Sequence, residues 1–441
     1  MKVKVVKMGI NGEGIAYHNN IPIFIENALI EEEVNINITN NYKTYKKAEI
    51  IDYIKKSPYR IKPKCKLANI CGGCNLMSLM VKKQLEYKTN LVKESLYKYA
   101  NIESNKINNM IPSNDYFGYR NQFKFPVKIL KGTLYSGMFK EDSDHLVTIE
   151  KCIIHDKKLE ELRIQIMNIL NKYQTKDYYE KIESGLRYII LRGFNDNYQL
   201  TLVTGKNTIN THVLNELSNI KEIKSIYQNV NTKMTGGILS DDNRLLYGAK
   251  TIELKIDNLV FRLSHNAFFQ LNYKQALNIY HYVNDLIDNC NTIVEAYSGI
   301  GAMSLMVANK ANRVIGVEYI NNAVKNANLN AKFNHLNDKV EFICDDAGKF
   351  LSETNYDIDY LIVDPPRSGL DDTMVNSILT KLPNIIIYIS CNPSTLGKNL
   401  NELKHSYNIK SIQPFDMFTN TPHVETVCLL SKLNNAKKLK I

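Results

Sequence analysis

The sequence predicts an α/β protein with a carboxyl-terminal doubly wound sheet, an amino-terminal OB-type β-barrel and a β-rich region between them. Three observations lead there. From about Leu271 short apolar runs alternate with helical patterns, the rhythm of a parallel sheet covered on both faces. Up to about residue 57, short alternating runs are broken by Gly and Asn, as in a small closed barrel. Between them, strand-like runs follow at short spacing, which favours antiparallel pairing over βαβ units. The expected division is 1–57, 58–270 and 271–441.

In the first region Val3–Met8, Ile21–Ile25 and Glu33–Ile38 read as strands, with Gly12–Gly14 as a turn. Ser57-Pro58-Tyr59-Arg60 reads as a linker, and Leu76–Tyr99 as a helix. Arg187–Arg192 and Gln199–Val203 are the clearest strands of the middle region. In the last, Thr292–Ala296, Arg313–Glu318, Lys339–Ile343, Asp357–Asp364 and Asn384–Ser390 read as successive strands. A helix is expected through Met303–Asn309.

A chain of 441 residues with 44% hydrophobic residues can bury two or three cores. It has no apolar run near 18 residues, and its start lacks the apolar stretch of a signal peptide, so no membrane span is expected. The expectation is a cytoplasmic, monomeric protein. A net charge of +11 fits a polyanionic partner, which for such a protein means nucleic acid.

Glu295-Ala-Tyr-Ser-Gly-Ile-Gly301 follows the first strand of the last region. Gly299 and Gly301 let the backbone turn tightly and approach a ligand. Glu318 closes the second strand, 23 residues after Glu295, where a carboxylate accepts from two ribose hydroxyls. Gly-x-Gly-x-x-Gly is absent, so the phosphate cradle is missing. S-adenosyl-L-methionine, which has no phosphate, fits better than NAD. Asp346, in Asp345-Asp346-Ala347, is placed to hold an adenine amino group.

Asp364-Pro365-Pro366-Arg367 ends the fourth strand and Ser390-Cys391-Asn392-Pro393 the fifth. Chemistry in open α/β sheets gathers at these carboxyl ends. A nucleophilic thiol beside a sulfonium donor suits methylation of uracil C5. That carbon attacks a methyl group only after a thiolate has added to C6, and a base must then remove the C5 proton. Cys391 is the candidate nucleophile, its thiolate stabilised by the helix starting at Pro393. Glu425, opening a closing strand in Thr421-Pro-His-Val-Glu-Thr-Val427, is the candidate base, with His423 an orienting group.

Cys65, Cys71 and Cys74 cluster within ten residues, and Cys152 lies far downstream. Four thiolates of this kind suit tetrahedral zinc or an iron–sulfur cluster, and spacing leaves both open. Cys290, Cys344 and Cys428 read as small core residues.

On these motifs the chain resembles the RNA uracil-C5 methyltransferase family, and within it the branch acting on 23S ribosomal RNA, the RlmD or RlmCD type. The resemblance implies a Rossmann-like S-adenosylmethionine methyltransferase domain and a TRAM domain over residues 1–57. It implies that Cys65, Cys71, Cys74 and Cys152 hold a [4Fe-4S] cluster. Phe268-Phe269-Gln270-Leu271-Asn272 looks like a family segment whose glutamine, here Gln270, contacts the cofactor. Tyr297, Glu318 and Asp364 fall on other cofactor positions, as does Asp346. Cys391 matches the nucleophile and Glu425 the base. Glu295 stands where the family commonly has Asp, and Ser298 where it has Cys. Arg120 and Lys124, interleaved with aromatics in Tyr119–Phe125, are candidate RNA contacts. The tRNA-specific branch, and a non-catalytic iron–sulfur RNA-binding protein, are the alternative readings.

Overall fold

The computed structural model describes residues 1–140, 145–233 and 236–434. Its first sheet orders six strands as Lys2–Lys4, Glu33–Asn41, Lys46–Lys55, Ile21–Ile25, Gly14–His18 and Lys7–Met8. Alternate residues turn inward, so that Val3, Val5, Ala16, Ile23, Ile25, Val34, Ile36 and Ala48 fill one core. Gly14 opens a strand rather than closing a turn, and its lack of a Cβ allows close packing, since a Cβ there would stand 2.7 Å from that of Ala28. The strand Lys46–Lys55 was not anticipated. Its side chains are largely exposed, so it carries little alternation to read.

Turns occupy residues 65–79, and the helix runs Val81–Ala100, starting later than expected. The backbone before it is used elsewhere: the Leu76 N–H donates to the Asn420 carbonyl at 2.9 Å.

The second sheet orders Asn243–Gly248, Ile223–Val230, Asn197–Thr204, Leu186–Phe194, Gln122–Leu130, Thr133–Phe139 and Leu146–Thr148. It is not wholly antiparallel, as the sequence suggested. Asn197–Thr204 and Ile223–Val230 pair in parallel, joined through the helix Thr211–Ser218. That helix and Lys157–Lys172 cover the apolar face formed by Phe123, Phe125, Ile189, Leu191, Leu200 and Leu202. A hairpin of Thr251–Ile256 and Leu259–Ser264 follows, and its apolar residues join the core of the third sheet.

That third sheet orders Val340–Cys344, Ala311–Glu318, Cys290–Ala296, Tyr360–Val363, Ile385–Ser390, Glu425–Lys432 and Tyr407–Phe415. The first five are parallel, as expected, and Glu425–Lys432 runs antiparallel to both neighbours. The strand order reverses at Cys290–Ala296, the switch point where such sheets leave a crevice at their carboxyl ends. Ala302–Met306 is shorter than the helix expected there. Cys428 is buried and Cys290 half-buried, but Cys344 is exposed where it ends the edge strand. Among the described residues no helix is long and apolar enough to cross a membrane.

Candidate active site

The switch-point crevice gathers residues from five strand ends. At the first, Tyr297 takes φ +63°, a left-handed conformation that a bulky side chain seldom adopts. Gly299 and Gly301 follow at φ +55° and +81°. A Cβ on Gly301 would meet the Phe342 ring at 2.3 Å, whereas one on Gly299 would have no neighbour within 4 Å. Gly301 therefore serves packing, while Gly299 faces open space. Glu318 fixes this loop. Its Oε2 accepts the Gly299 N–H at 3.0 Å and its Oε1 the Ile320 N–H at 2.8 Å, leaving each oxygen capacity for a further donor.

Glu295 is turned inward and buried. It accepts from the Ser304 N–H at 2.7 Å and from the Ser304 hydroxyl. Burial holds its carboxyl up at about 8, and the nearby Asp364 and Glu318 charges act in the same direction. Asp364 retains some solvent contact, yet desolvation by the protein closely surrounding it pushes its carboxyl up to about 7. Asp346 is exposed and caps the helix Ala347–Glu353, accepting from the Lys349 N–H at 2.9 Å. Its charge and that of Asp371 are felt at Tyr297, whose hydroxyl is raised first by burial.

Ser390 lies opposite Thr426 across the antiparallel pair, and Cys391 and Glu425 are the residues immediately beyond that pair. Cys391, Glu425, Asp364 and Arg367 sit close enough to act on one another electrostatically. The thiol is held up at about 11, first by burial and then by Glu425 and Asp364, while Arg367 opposes them. The expected depression by the helix Pro393–Leu403 is outweighed by this desolvation. Burial also raises Glu425 well above the usual carboxylate range, Asp364 adds to it, and Arg367 again opposes. Desolvation pushes His423 down to about 4, helped by Arg367, whose guanidinium lies 3.2 Å from its Nδ1.

The helix after the nucleophile begins as expected at Pro393, with Asn392 capping it by accepting from the Ser394 N–H at 3.1 Å. Gln270 lies two residues before the Asn272 cap of the helix Tyr273–Asp285. Its carbonyl accepts from the Asn121 side chain at 2.9 Å, which ties it to the second sheet. Tyr280 on that helix is near enough to Asp364, Glu295 and Glu425 for all three to raise its hydroxyl, after burial. Sequence reasoning missed Tyr280. Its position one residue after the buried Ile279, on a helix whose cap had been noticed as a motif, was the available signal.

A second group lies apart from the crevice. Cys65, Cys74 and Cys152 pack in one cluster with Met77, Tyr119, Ile154 and Phe418. Burial raises the Cys74 thiol furthest, and Cys152, Cys71 and Cys65 are all near enough to add to it. The four predicted thiols therefore converge, although among the described residues no three His, Cys, Asp or Glu side chains are drawn into a metal-ion shell. The donor set fits a thiolate-bound group. Burial raises the Cys152 thiol to about 11, although backbone N–H groups of Ile154 and His155 and the Arg120 charge oppose this, and Gly72 has open space around it. The Cys152 N–H donates to Glu160 at 2.9 Å, and Glu160 is locked by Arg163 and His155. Of the two candidate RNA contacts, Lys124 is exposed, and Arg120 leans toward the thiols.

Comparison with known proteins shows the family to which this site belongs. Residues 80–433 match the model of the tRNA (uracil-5-)-methyltransferase family, and residues 1–51 match the TRAM domain. The chain belongs to that family. It is an S-adenosylmethionine-dependent RNA (uracil-C5) methyltransferase with an amino-terminal TRAM domain. An uncharacterized RNA methyltransferase of Fusobacterium nucleatum is 32% identical over 98% of this chain and 96% of its own. One of Clostridium acetobutylicum is 33% identical over 98% and 97%. The tRNA (uracil-54, C5)-methyltransferase of Pyrococcus abyssi, solved with S-adenosyl-L-homocysteine, superposes with a TM-score of 0.80. It is 26% identical to this family member, across 98% of this chain and all of that one.

Proposed function

We propose that the protein methylates C5 of uridine in 23S ribosomal RNA, through a covalent adduct between Cys391 and C6. The observation that carries this reading is the placement of Cys391 and Glu425 immediately beyond the paired Ser390 and Thr426, with Arg367 acting on both. The Cys391 sulfur, as thiolate, adds to C6, and the C5–C6 electron pair becomes enolate-like. The methyl group passes from the sulfonium to C5, leaving the neutral thioether. Glu425 then takes the C5 proton, that C–H pair re-forms the C5–C6 double bond, and the C6–S pair leaves with Cys391. Arg367 is the cation that favours the ionised form of both groups.

Glu318 is assigned to the ribose hydroxyls, since both its oxygens keep a free lone pair beside the open space at Gly299. Asp346 is assigned to the adenine, and Tyr297, Gly301, Gln270 and Asp364 to the remainder of the cofactor. The target base must leave its stack to reach Cys391, so the TRAM domain, Lys124 and Arg120 are assigned to the RNA around it. Cys65, Cys71, Cys74 and Cys152 are assigned to a [4Fe-4S] cluster. It would draw the four thiolates together and tie residues 65–74 to the second sheet, a structural role. A cytoplasmic monomer divided at about residues 57 and 270 completes the reading.

The test is transfer of labelled methyl groups to unmodified 23S ribosomal RNA and to unmodified tRNA, with the modified nucleotides mapped. Label at one or two uridines of 23S ribosomal RNA is expected, and loss of it in Cys391→Ala while RNA still binds. Normal transfer by that variant sinks the covalent mechanism. The tRNA substrate named for the Pyrococcus abyssi protein supports the second reading, and label in tRNA alone would establish it.

A further inference from the structure

The loop from Asp416 to Val424 delivers Glu425 to the crevice, and it is held from outside the third sheet by groups that the reaction does not use. Lys88, on the helix Val81–Ala100, is wholly buried. It donates to Asp416 Oδ1 at 2.5 Å and to the Phe418 carbonyl at 2.9 Å. One turn earlier on that helix Gln84 clasps Asn420 in both directions. Its Nε2 donates to Asn420 Oδ1 at 3.3 Å, and its Oε1 accepts the Asn420 N–H at 3.1 Å. Tyr119 donates to the Thr419 carbonyl at 3.2 Å. Asn420 itself takes φ +63°, the left-handed turn conformation that asparagine accommodates more readily than other side chains. Phe418 packs against the thiols and meets the His423 ring edge-on at 6.3 Å.

A fully buried lysine–carboxylate pair is a poor source of stability, because desolvating both charges offsets most of their attraction. Its use here is geometric. We infer that Lys88 and Asp416 are positioning residues that set where Glu425 meets the C5 proton, with Gln84 and Asn420 holding the other end of the loop. This rests on the proton-abstraction role proposed above. A misplacement of about 1 Å can lower a rate by about 100-fold. The step affected is the last one: transfer of the C5 proton to Glu425, with the C6–S bond breaking and the pair returning to Cys391. Binding of RNA and methyl transfer itself precede it.

The experiment compares wild type, Glu425→Gln, the neutral double variant Lys88→Met/Asp416→Asn, and Gln84→Met. Single turnovers on 23S ribosomal RNA are resolved on denaturing gels for methylated RNA still bound to protein. The double variant removes both buried charges, so it should fold, but it cannot donate to the Phe418 carbonyl. It is expected to hold KM for RNA within about twofold and to lose about 100-fold in kcat, with the methylated adduct accumulating. Gln84→Met is expected to give the same signature, more weakly, and it covers the case in which the double variant does not fold. Wild-type release of the adduct by either folded variant overturns the inference. So does a fall in kcat without adduct, or a rise in KM alone. If Glu425→Gln accumulates no adduct, the base assignment fails first, and the two failures are thereby distinguished.

Discussion

Asn392 donates from its side-chain amide to the carbonyl oxygen of Arg367 at 3.0 Å, joining the residue after the nucleophile to the turn that ends the fourth strand. Thr395 adds a second bond to the same carbonyl at 3.2 Å. The two strand ends that carry Cys391 and Asp364 are thus locked together through backbone and cap, independently of RNA. This holds the backbone of Arg367, a cation that acts on both Cys391 and Glu425.

Arg367→Met should therefore move the thiol further from reactivity. Alkylation of Cys391 by iodoacetamide is expected to rise about tenfold per pH unit from neutrality in the wild type, since only the thiolate reacts. In the variant the same curve should lie at higher pH, and methylation should fall. A curve that does not move would remove Arg367 from the activation of the thiol. Asn392→Ala should shift it in the same direction and cost about 1 kcal/mol of stability through the lost cap.

The two loop glycines separate binding from folding. Gly301→Ala forces a Cβ into the Phe342 ring at a positive φ, and should cost about 1–3 kcal/mol of stability as well as cofactor affinity. Gly299→Ala meets no protein atom within 4 Å, so it pays only the strain of its backbone, about 1–2 kcal/mol, and projects a methyl into the open space. Calorimetric titration with S-adenosyl-L-homocysteine beside thermal melts checks this. The Gly299 variant should lose affinity by at least about tenfold while melting nearer to wild type. Undiminished affinity would mean that the open space does not receive the ligand.

The third sheet was legible because each of its parallel strands carries a short stretch of β-branched or other apolar residues, such as Ile293–Val294, Val314–Val317 and Ile385–Ile389, ended by a polar or glycine turn. The site was legible for the same reason: Tyr297, Glu318, Asp346, Asp364 and Cys391 each stand at the carboxyl end of such a strand or within two residues of it. The middle region was read less well. The helix Lys157–Lys172 carries six charged residues among sixteen, and its buried stripe of Leu159, Leu162, Ile166 and Leu170 was passed over. With it went the crossover at Thr211–Ser218. Lys88 and Asp416 were beyond reach, since a lysine 328 residues from its partner leaves no mark on either neighbourhood. The raised thiol of Cys391 was also hidden, because desolvation depends on what packs around a strand end and not on the residues beside it.

Glu425→Gln keeps the shape of the base and removes its ability to take a proton. Methyl transfer to C5 should still occur once per enzyme, after which Cys391 cannot leave C6. Incubation with S-adenosylmethionine and RNA should then give a protein–RNA band resistant to denaturation, carrying one methyl group, with turnover down by about 100-fold or more. The band should be absent in Cys391→Ala/Glu425→Gln. Product release at the wild-type rate would show that another group removes the proton.

Acidic groups held neutral by burial also make the stability of the RNA-free protein depend on pH. Asp364 is raised from 3.8 to about 7 and Glu295 from 4.5 to about 8. Between the lower and upper value of each, the folded protein binds more protons than the unfolded chain, so unfolding becomes easier as pH rises. Their stabilising contribution is complete below pH 4 and is lost as pH climbs through 7 to 8. Melting temperature measured without ligand should accordingly decline from pH 5 to pH 8. Asp364→Asn and Glu295→Gln, each neutral at every pH, should flatten that decline. The Glu295 variant keeps a side-chain acceptor for Ser304 and should be the better folded of the two at pH 8. A slope unchanged in both variants would mean that these carboxyls are ionised in the folded protein across the whole range.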